Sequence, residues 1–126
     1  MPRSRSEADR RQRAERGGRW GETLAAGWLL AKGYRIDAMR FKTPVGEVDI
    51  IASRGTVTAF IEVKTRRSAA SYGMALAQVN SRRISRAAEA YLARHPRLAG
   101  RTLRFDVIFL APFAWPRHVK NAFPAV

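Results

Sequence analysis

Apolar positions along the chain switch between two periods. Leu24, Ala25, Trp28 and Leu29 recur at helical spacing, and Gly33 follows as a stop, which predicts a helix at roughly 20–32. Residues 34–41 alternate loosely and read as a strand that Thr43-Pro44 breaks. Residues 47–52 and 57–65 read as two further strands, joined by Ser53-Arg54-Gly55-Thr56 with Gly55 supplying a positive φ. A long helix follows. Asn80 or Ser81 caps its main segment, an earlier turn starts near Gly73, and Pro96 ends it. Ile84, Ala87, Ala88, Tyr91 and Leu92 form its apolar stripe, with Arg82, Arg83 and Arg86 largely on the other side. Residues 103–110 alternate again, with Leu103, Phe105, Val107 and Phe109 on one face. Pro112, Pro116 and Pro124 predict an irregular segment over 111–126. Residues 1–19 carry seven arginines and little that could enter a core, so they are expected to form a flexible basic tail. The pattern is one α/β domain at 20–110, ordered helix, three strands, helix, strand.

The hairpin concentrates acids. On the third strand Glu62 and Lys64 share a face that is otherwise apolar enough to be buried, and on the second Glu47, Asp49 and Ile51 share one. If Ser53 faces Thr56 across the turn, Asp49 faces Phe60 and Glu47 faces Glu62. Asp49 and Glu62 then become diagonal neighbours, about 7–8 Å apart at Cα. Outside the tail the acids are Glu22, Asp37, Glu47, Asp49, Glu62, Glu89 and Asp106, so three of seven meet on one predicted hairpin face. Carboxylates gathered on a half-buried face repel and lose hydration, and a positive group must compensate. Lys64 is one candidate and a divalent hard cation, Mg²⁺ or Mn²⁺, is the other. Glu22 edges the core-facing side of the first helix and is either a fourth member or an exposed acid of the first helical turn. A metal held by Asp49 and Glu62 would polarise a phosphodiester, with Lys64 stabilising negative charge. The same residues also suit a structural Lys–Glu cluster at a sheet edge.

Composition narrows the partners. Lys and Arg number 24 against 10 Asp and Glu, a net charge of +14, and the pI is near 11.6. Such a balance points to a polyanion, nucleic acid first, although Arg bias on solvated faces would produce it too. Arg66 and Arg67 after the third strand, and Arg82, Arg83 and Arg86 on the second helix, are the candidate contacts. Cysteine is absent, so disulfides and thiolate metal sites are excluded. The longest apolar run, Leu24 to Ala31, has eight residues, against about 20 needed to span a bilayer. The basic N-terminus has no apolar stretch after it, so a secretory signal is not expected and a cytoplasmic protein is.

Asp49, followed by Glu62-Val63-Lys64 on the next strand, resembles the PD-(D/E)XK nuclease signature. The order of elements matches that superfamily's restriction-endonuclease-like αβββαβ core, a mixed sheet flanked by helices. More closely, Gly21-Glu22, Gly33-Tyr34, Gly46-Glu47-Val48-Asp49-Ile50-Ile51-Ala52, Phe60-Ile61-Glu62-Val63-Lys64-Thr65-Arg66 and Arg104-Phe105-Asp106-Val107 resemble the YraN family over about residues 17–110. Those are small bacterial proteins similar in fold to archaeal Holliday-junction resolvases. The resemblance implies Asp49, Glu62 and Lys64 in the metal and catalytic positions and Glu22 as the added helix acid. Val48 stands where the signature has proline. Two departures bear on substrate grip. Ala38-Met39-Arg40-Phe41 replaces an Asn-X-Arg common in the family, and Gln78, then Arg82 and Arg83, stand where members place a Lys. The expected function is a Mg²⁺-dependent phosphodiesterase acting on DNA, branched DNA included, with a two-fold homodimer by analogy to resolvases. The alternatives are a non-catalytic nucleic-acid-binding or assembly protein on a nuclease-like fold, and a small RNA-associated basic protein.

Overall fold

The computed structural model describes residues 20–126, so the tail expected at 1–19 lies outside the described residues. Residues 20–31 form helix α1. Strands β1 (Arg35–Thr43), β2 (Gly46–Arg54) and β3 (Val57–Thr65) follow as an antiparallel meander. The chain then passes through helices α2 (Tyr72–Ala77) and α3 (Ser81–Arg94). It returns as β4 (Thr102–Leu110), parallel to β3, and ends with β5 (Arg117–Val119), antiparallel to β4. The five-stranded sheet runs β1-β2-β3-β4-β5. This is the mixed α/β architecture expected from the αβββαβ order. Among the described residues no helix is long and apolar enough to cross a membrane.

Period and caps explain the helices. In α1, Ala25 and Leu29 lie one turn apart and are fully buried. In α3, Asn80 Oδ1 accepts the Arg83 N–H at 3.2 Å, which satisfies one of the free amides at the helix start. Ile84, Ala87, Ala88 and Tyr91 are buried as the stripe requires. The helices cover opposite faces of the sheet. Ala25, Leu29 and Tyr34 pack on Ile50, Ala52, Ala59, Ile61, Ile108 and Leu110. On the other face, α3 packs on Val48, Ile51, Phe60 and Phe105, and Tyr72 and Ala75 of α2 pack on Val107 and Phe109.

Four expectations are corrected. First, Arg54 pairs with Val57, not Ser53 with Thr56, and Ile50 with Ile61. Gly55-Thr56 is thus the two-residue loop, with Gly55 at φ 58°. The pairing is displaced by two residues, so β3 keeps its expected faces because side chains alternate with period two. Asp49 moves from opposite Phe60 to the level of Glu62. Second, β2 does not keep one alternation, because Val48 packs in the α3 layer with Ile51 while Ile50 packs in the α1 layer. Third, Leu103 at the start of β4 is 41% exposed, while Phe105, Val107 and Phe109 form the expected buried face and the other face is buried too, since the strand lies between β3 and β5. Fourth, the C-terminal segment is not wholly irregular, since β5 pairs with Val107–Phe109.

Asp106 is what β5 closes over. Fully buried, it accepts Arg104 Nε at 2.8 Å, Arg104 Nη2 at 2.8 Å and the Asn121 N–H at 2.9 Å. His118 Nε2 stands 2.7 Å from its other side, and Arg104 also donates to the Tyr34 hydroxyl at 2.7 Å. Strand β4 and the β5 segment thus meet at one carboxylate, and Arg104 links it to Tyr34.

Two stability outcomes follow. A Cβ on Gly46 would stand 1.9 Å from the backbone oxygen of Arg83, so the start of β2 and the start of α3 touch through a position only glycine fits. Gly46→Ala should cost at least about 2 kcal/mol, read as a lower urea midpoint with unchanged slope. An unchanged midpoint would show that the two elements do not approach so closely. Asp106→Asn should cost about 2–4 kcal/mol, because it strips the half-buried Arg104 of its counter-charge. Loss of under about 1 kcal/mol would mean the cluster is wetter than its burial indicates.

Candidate active site

The break in β2 falls at Asp49. On the neighbouring strand Met39 pairs with Ile50 and Phe41 with Val48, while Arg40 between them has φ 50°. That left-handed conformation is strained for an arginine and persists only where surroundings hold it. Here Arg40 Nε donates to Glu22 Oε2 at 2.6 Å. β2 and β3 pair from their turn only as far as Ile50 and Ile61. Past that point the Val63 N–H turns to a side chain, donating to Asp49 Oδ2 at 2.7 Å.

The other charges stand around this point. Lys64 Nζ is 3.2 Å from Glu62 Oε1, and both side chains are about one-fifth exposed. A cavity of about 120 Å³ is lined by Glu22, Arg40, Lys42, Glu47, Val48 and Asp49. Lys42 is the register partner of Glu47. Burial, then the charge of Glu62, pushes the Asp49 carboxyl up to about 7. Glu22 and Glu47 push the same way, and the Val63 N–H opposes them.

Asp49, Glu22 and Glu47 line one cavity, and Glu62, paired with Lys64, is near enough for its charge to act on Asp49. Among the described residues no group of three or more acids or histidines is drawn close enough to enclose a metal ion. Two of the acids already lean on cations, Glu62 on Lys64 and Glu22 on Arg40. The acids offer oxygen donors only, the type that hard cations such as Mg²⁺ or Mn²⁺ take, and Asp49 is raised first by burial and then by the charge of Glu62.

Sequence reasoning missed Arg40 and Lys42 as wall residues. Their i, i+2 spacing on a strand facing the GEVD segment was the available signal. The candidate arginines divide. Arg82 and Arg83 are exposed at the start of α3, whose backbone touches Gly46 beside Glu47. Arg67 is exposed, while Arg66 is half-buried with Nη1 on the Thr65 carbonyl at 2.7 Å. Arg86 is engaged by Glu89 at 3.0 Å and by the Val126 carbonyl at 3.4 Å, so it is turned to the C-terminus.

The sequence model of the uncharacterised protein family UPF0102 matches residues 21–110. A UPF0102 protein of Chelativorans sp. (strain BNC1) is 48% identical over 115 residues, covering 91% of this chain and 93% of its own. Another, of Methylorubrum extorquens (strain PA1), is 49% identical and covers 90% of this chain and 89% of its own. A third, of Methylobacterium nodulans, is 47% identical and covers 98% and 96%. The matched span holds α1 through β4, and with them every candidate acid.

The electrostatics give a pH outcome. Asp49 binds its proton more tightly folded than unfolded, so its contribution favours the folded state below pH 3.8 and is lost as pH rises through about 7. Asp106 has the opposite sign. Burial alone would raise it, but His118, Arg104 and the Asn121 amide hold it below the ordinary value. Its contribution is therefore lost as pH falls through the acid range. Between pH 4 and 7 the Asp49→Asn variant should show a flatter stability–pH curve than the wild type, by a slope of at most about 1.4 kcal/mol per pH unit. Parallel urea-denaturation curves across that window would show that Asp49 is not held at raised pKa.

Proposed function

The chain belongs to the uncharacterised protein family UPF0102, and for this member we propose a divalent-metal-dependent phosphodiesterase acting on DNA. The observation that carries the reading is Asp49, hooked to the Val63 amide where β2 and β3 part, with Glu62 and Lys64 beside it. A cluster kept only for stability would be balanced by its own cations, whereas Asp49 is repelled by three neighbouring acids.

Asp49 and Glu62 would hold Mg²⁺ or Mn²⁺, with Glu22 and Glu47 as further oxygen donors. Bound there, the ion withdraws charge from the scissile phosphodiester. The chain's own residues do the rest. Lys64 orients the attacking water and stabilises negative charge on the phosphoryl oxygens in the transition state. Arg40 and Lys42 supply positive walls on the β1 side, and Arg82 and Arg83 hold flanking phosphates. The net charge of +14 brings the polyanion to the sheet end.

One observation favours a second reading. Glu62 and Glu22 are each already paired with a cation, as in a nucleic-acid-binding module that keeps the fold without the chemistry. Two variants separate the readings. Asp49→Asn and Glu62→Gln keep shape and remove ligand charge. In metal-free buffer both should bind duplex DNA as well as the wild type or better. With Mg²⁺ or Mn²⁺ both should lower nicking by at least about 10²-fold. Lys64→Ala should lose nicking and also stability, since Glu62 is left uncompensated. No nicking of duplex, single-stranded or four-way DNA by the wild type with either ion would leave the binding module as the function.

A further inference from the structure

A groove of about 1250 Å³ runs along the outer side of α1, against the segment that follows β4. All three tryptophans of the chain line it, Trp20, Trp28 and Trp115. Trp20 is 67% exposed and Trp115 82% exposed, although burying such side chains is among the larger apolar gains available to a fold. Trp115 leans on Trp28 at 6.1 Å between ring centroids, tilted by 40°. Among the described residues the lining contains no carboxylate, while Arg66 and Arg67 belong to it. Lys32 Nζ lies 4.6 Å from the Trp28 ring centre. Aromatic faces with cations and without acids match a nucleobase and its phosphate rather than an ordinary protein surface.

The groove and the acidic site flank one contact between α1 and the end of β3. A Cβ on Gly21 would stand 2.7 Å from Thr65 Cγ2, so α1 and the end of β3 touch between them. Glu22 and Lys64, the next residues along α1 and β3, belong to the acidic site. Gly21, Thr65 and Arg66 line the groove.

We infer that this three-tryptophan groove binds unpaired nucleotides of single-stranded DNA, stacking bases on Trp115 and Trp20 while Arg66 and Arg67 contact the phosphates. The inference rests on the DNA reading above and adds to it a preference for a strand that is not base-paired. In a duplex the base faces are already stacked and cannot reach the indoles.

The test uses the full chain in EDTA, so that binding is read without cleavage. The probes are a labelled 20-nucleotide oligo-dT and a duplex of equal length. Oligo-dT should quench tryptophan fluorescence and bind more tightly than the duplex. Trp115→Ala should weaken oligo-dT binding by about tenfold, the loss of one stacked base. Duplex affinity and the melting temperature should stay unchanged, because the side chain is exposed, and Trp115→Phe should restore most of the loss. Equal effects of Trp115→Ala on both probes, or none on either, overturn the inference. So does a Trp115→Ala protein that changes from dimer to monomer in sedimentation with DNA binding intact, which would make the groove a contact between copies. Quenching and a Trp115 effect without nicking under any divalent ion support the groove and remove the phosphodiesterase. Nicking with a neutral Trp115→Ala removes the groove and keeps the acids.

Discussion

The Val63 amide donates to Asp49 Oδ2 at the level where β2 and β3 stop pairing, and where the strands part decides where every other charge at this end of the sheet can stand. A continued ladder would hold Asp49 in regular alternation. With the ladder broken, the backbone at 48–50 sends Val48 and Ile50 to opposite core layers. Arg40 follows on the adjacent strand by taking φ 50°, and that reach lets it meet Glu22 on α1. One side-chain-to-backbone hydrogen bond thus links a sheet irregularity, a strained residue and a helix acid.

Two aspartates in this fold show what separates a structural acid from a reactive one. Asp106 is more deeply buried than Asp49, yet it is held below the usual carboxylate range, because Arg104, His118 and the Asn121 amide meet both its oxygens. Asp49 has one amide and three like charges, and is pushed up to about 7. Burial alone does not sort them, since desolvation is the largest influence on each. Partners do. Asp106 is complete without any ligand and ties β5 to the sheet, whereas Asp49 is short of positive charge.

The contact between Gly21 and Thr65 has a similar linking role for α1. It lets one helix present Glu22 toward the strands and Leu24, Trp28 and Ala31 toward the groove. Leu29 and Ala25 meanwhile remain in the core. A helix has three usable sides at 3.6 residues per turn, and here all three are taken.

Much of the fold was legible along the chain, because period and punctuation are local. Leu24–Leu29 at helical spacing, Asn80 before the α3 stripe, Gly55 in the turn and the alternation in β3 each act within a few residues. The faces of β3, with Glu62 and Lys64 on one of them, were unaffected by a two-residue error in register, since faces repeat every two residues. Lost to a linear reading was whatever depends on departures from period. The broken alternation at Asp49 and the positive φ of Arg40 arise from the competition of two sheet faces and a helix for the same backbone. Strand β5 is three residues long and exists because Asp106 and the edge of β4 are there to receive it. Trp20, Trp28 and Trp115 lie up to 95 positions apart. Which residues can form an element is a property of neighbours along the chain. Which charges and rings meet is set by long-range packing, and only the closed sheet with helices on both faces decides it.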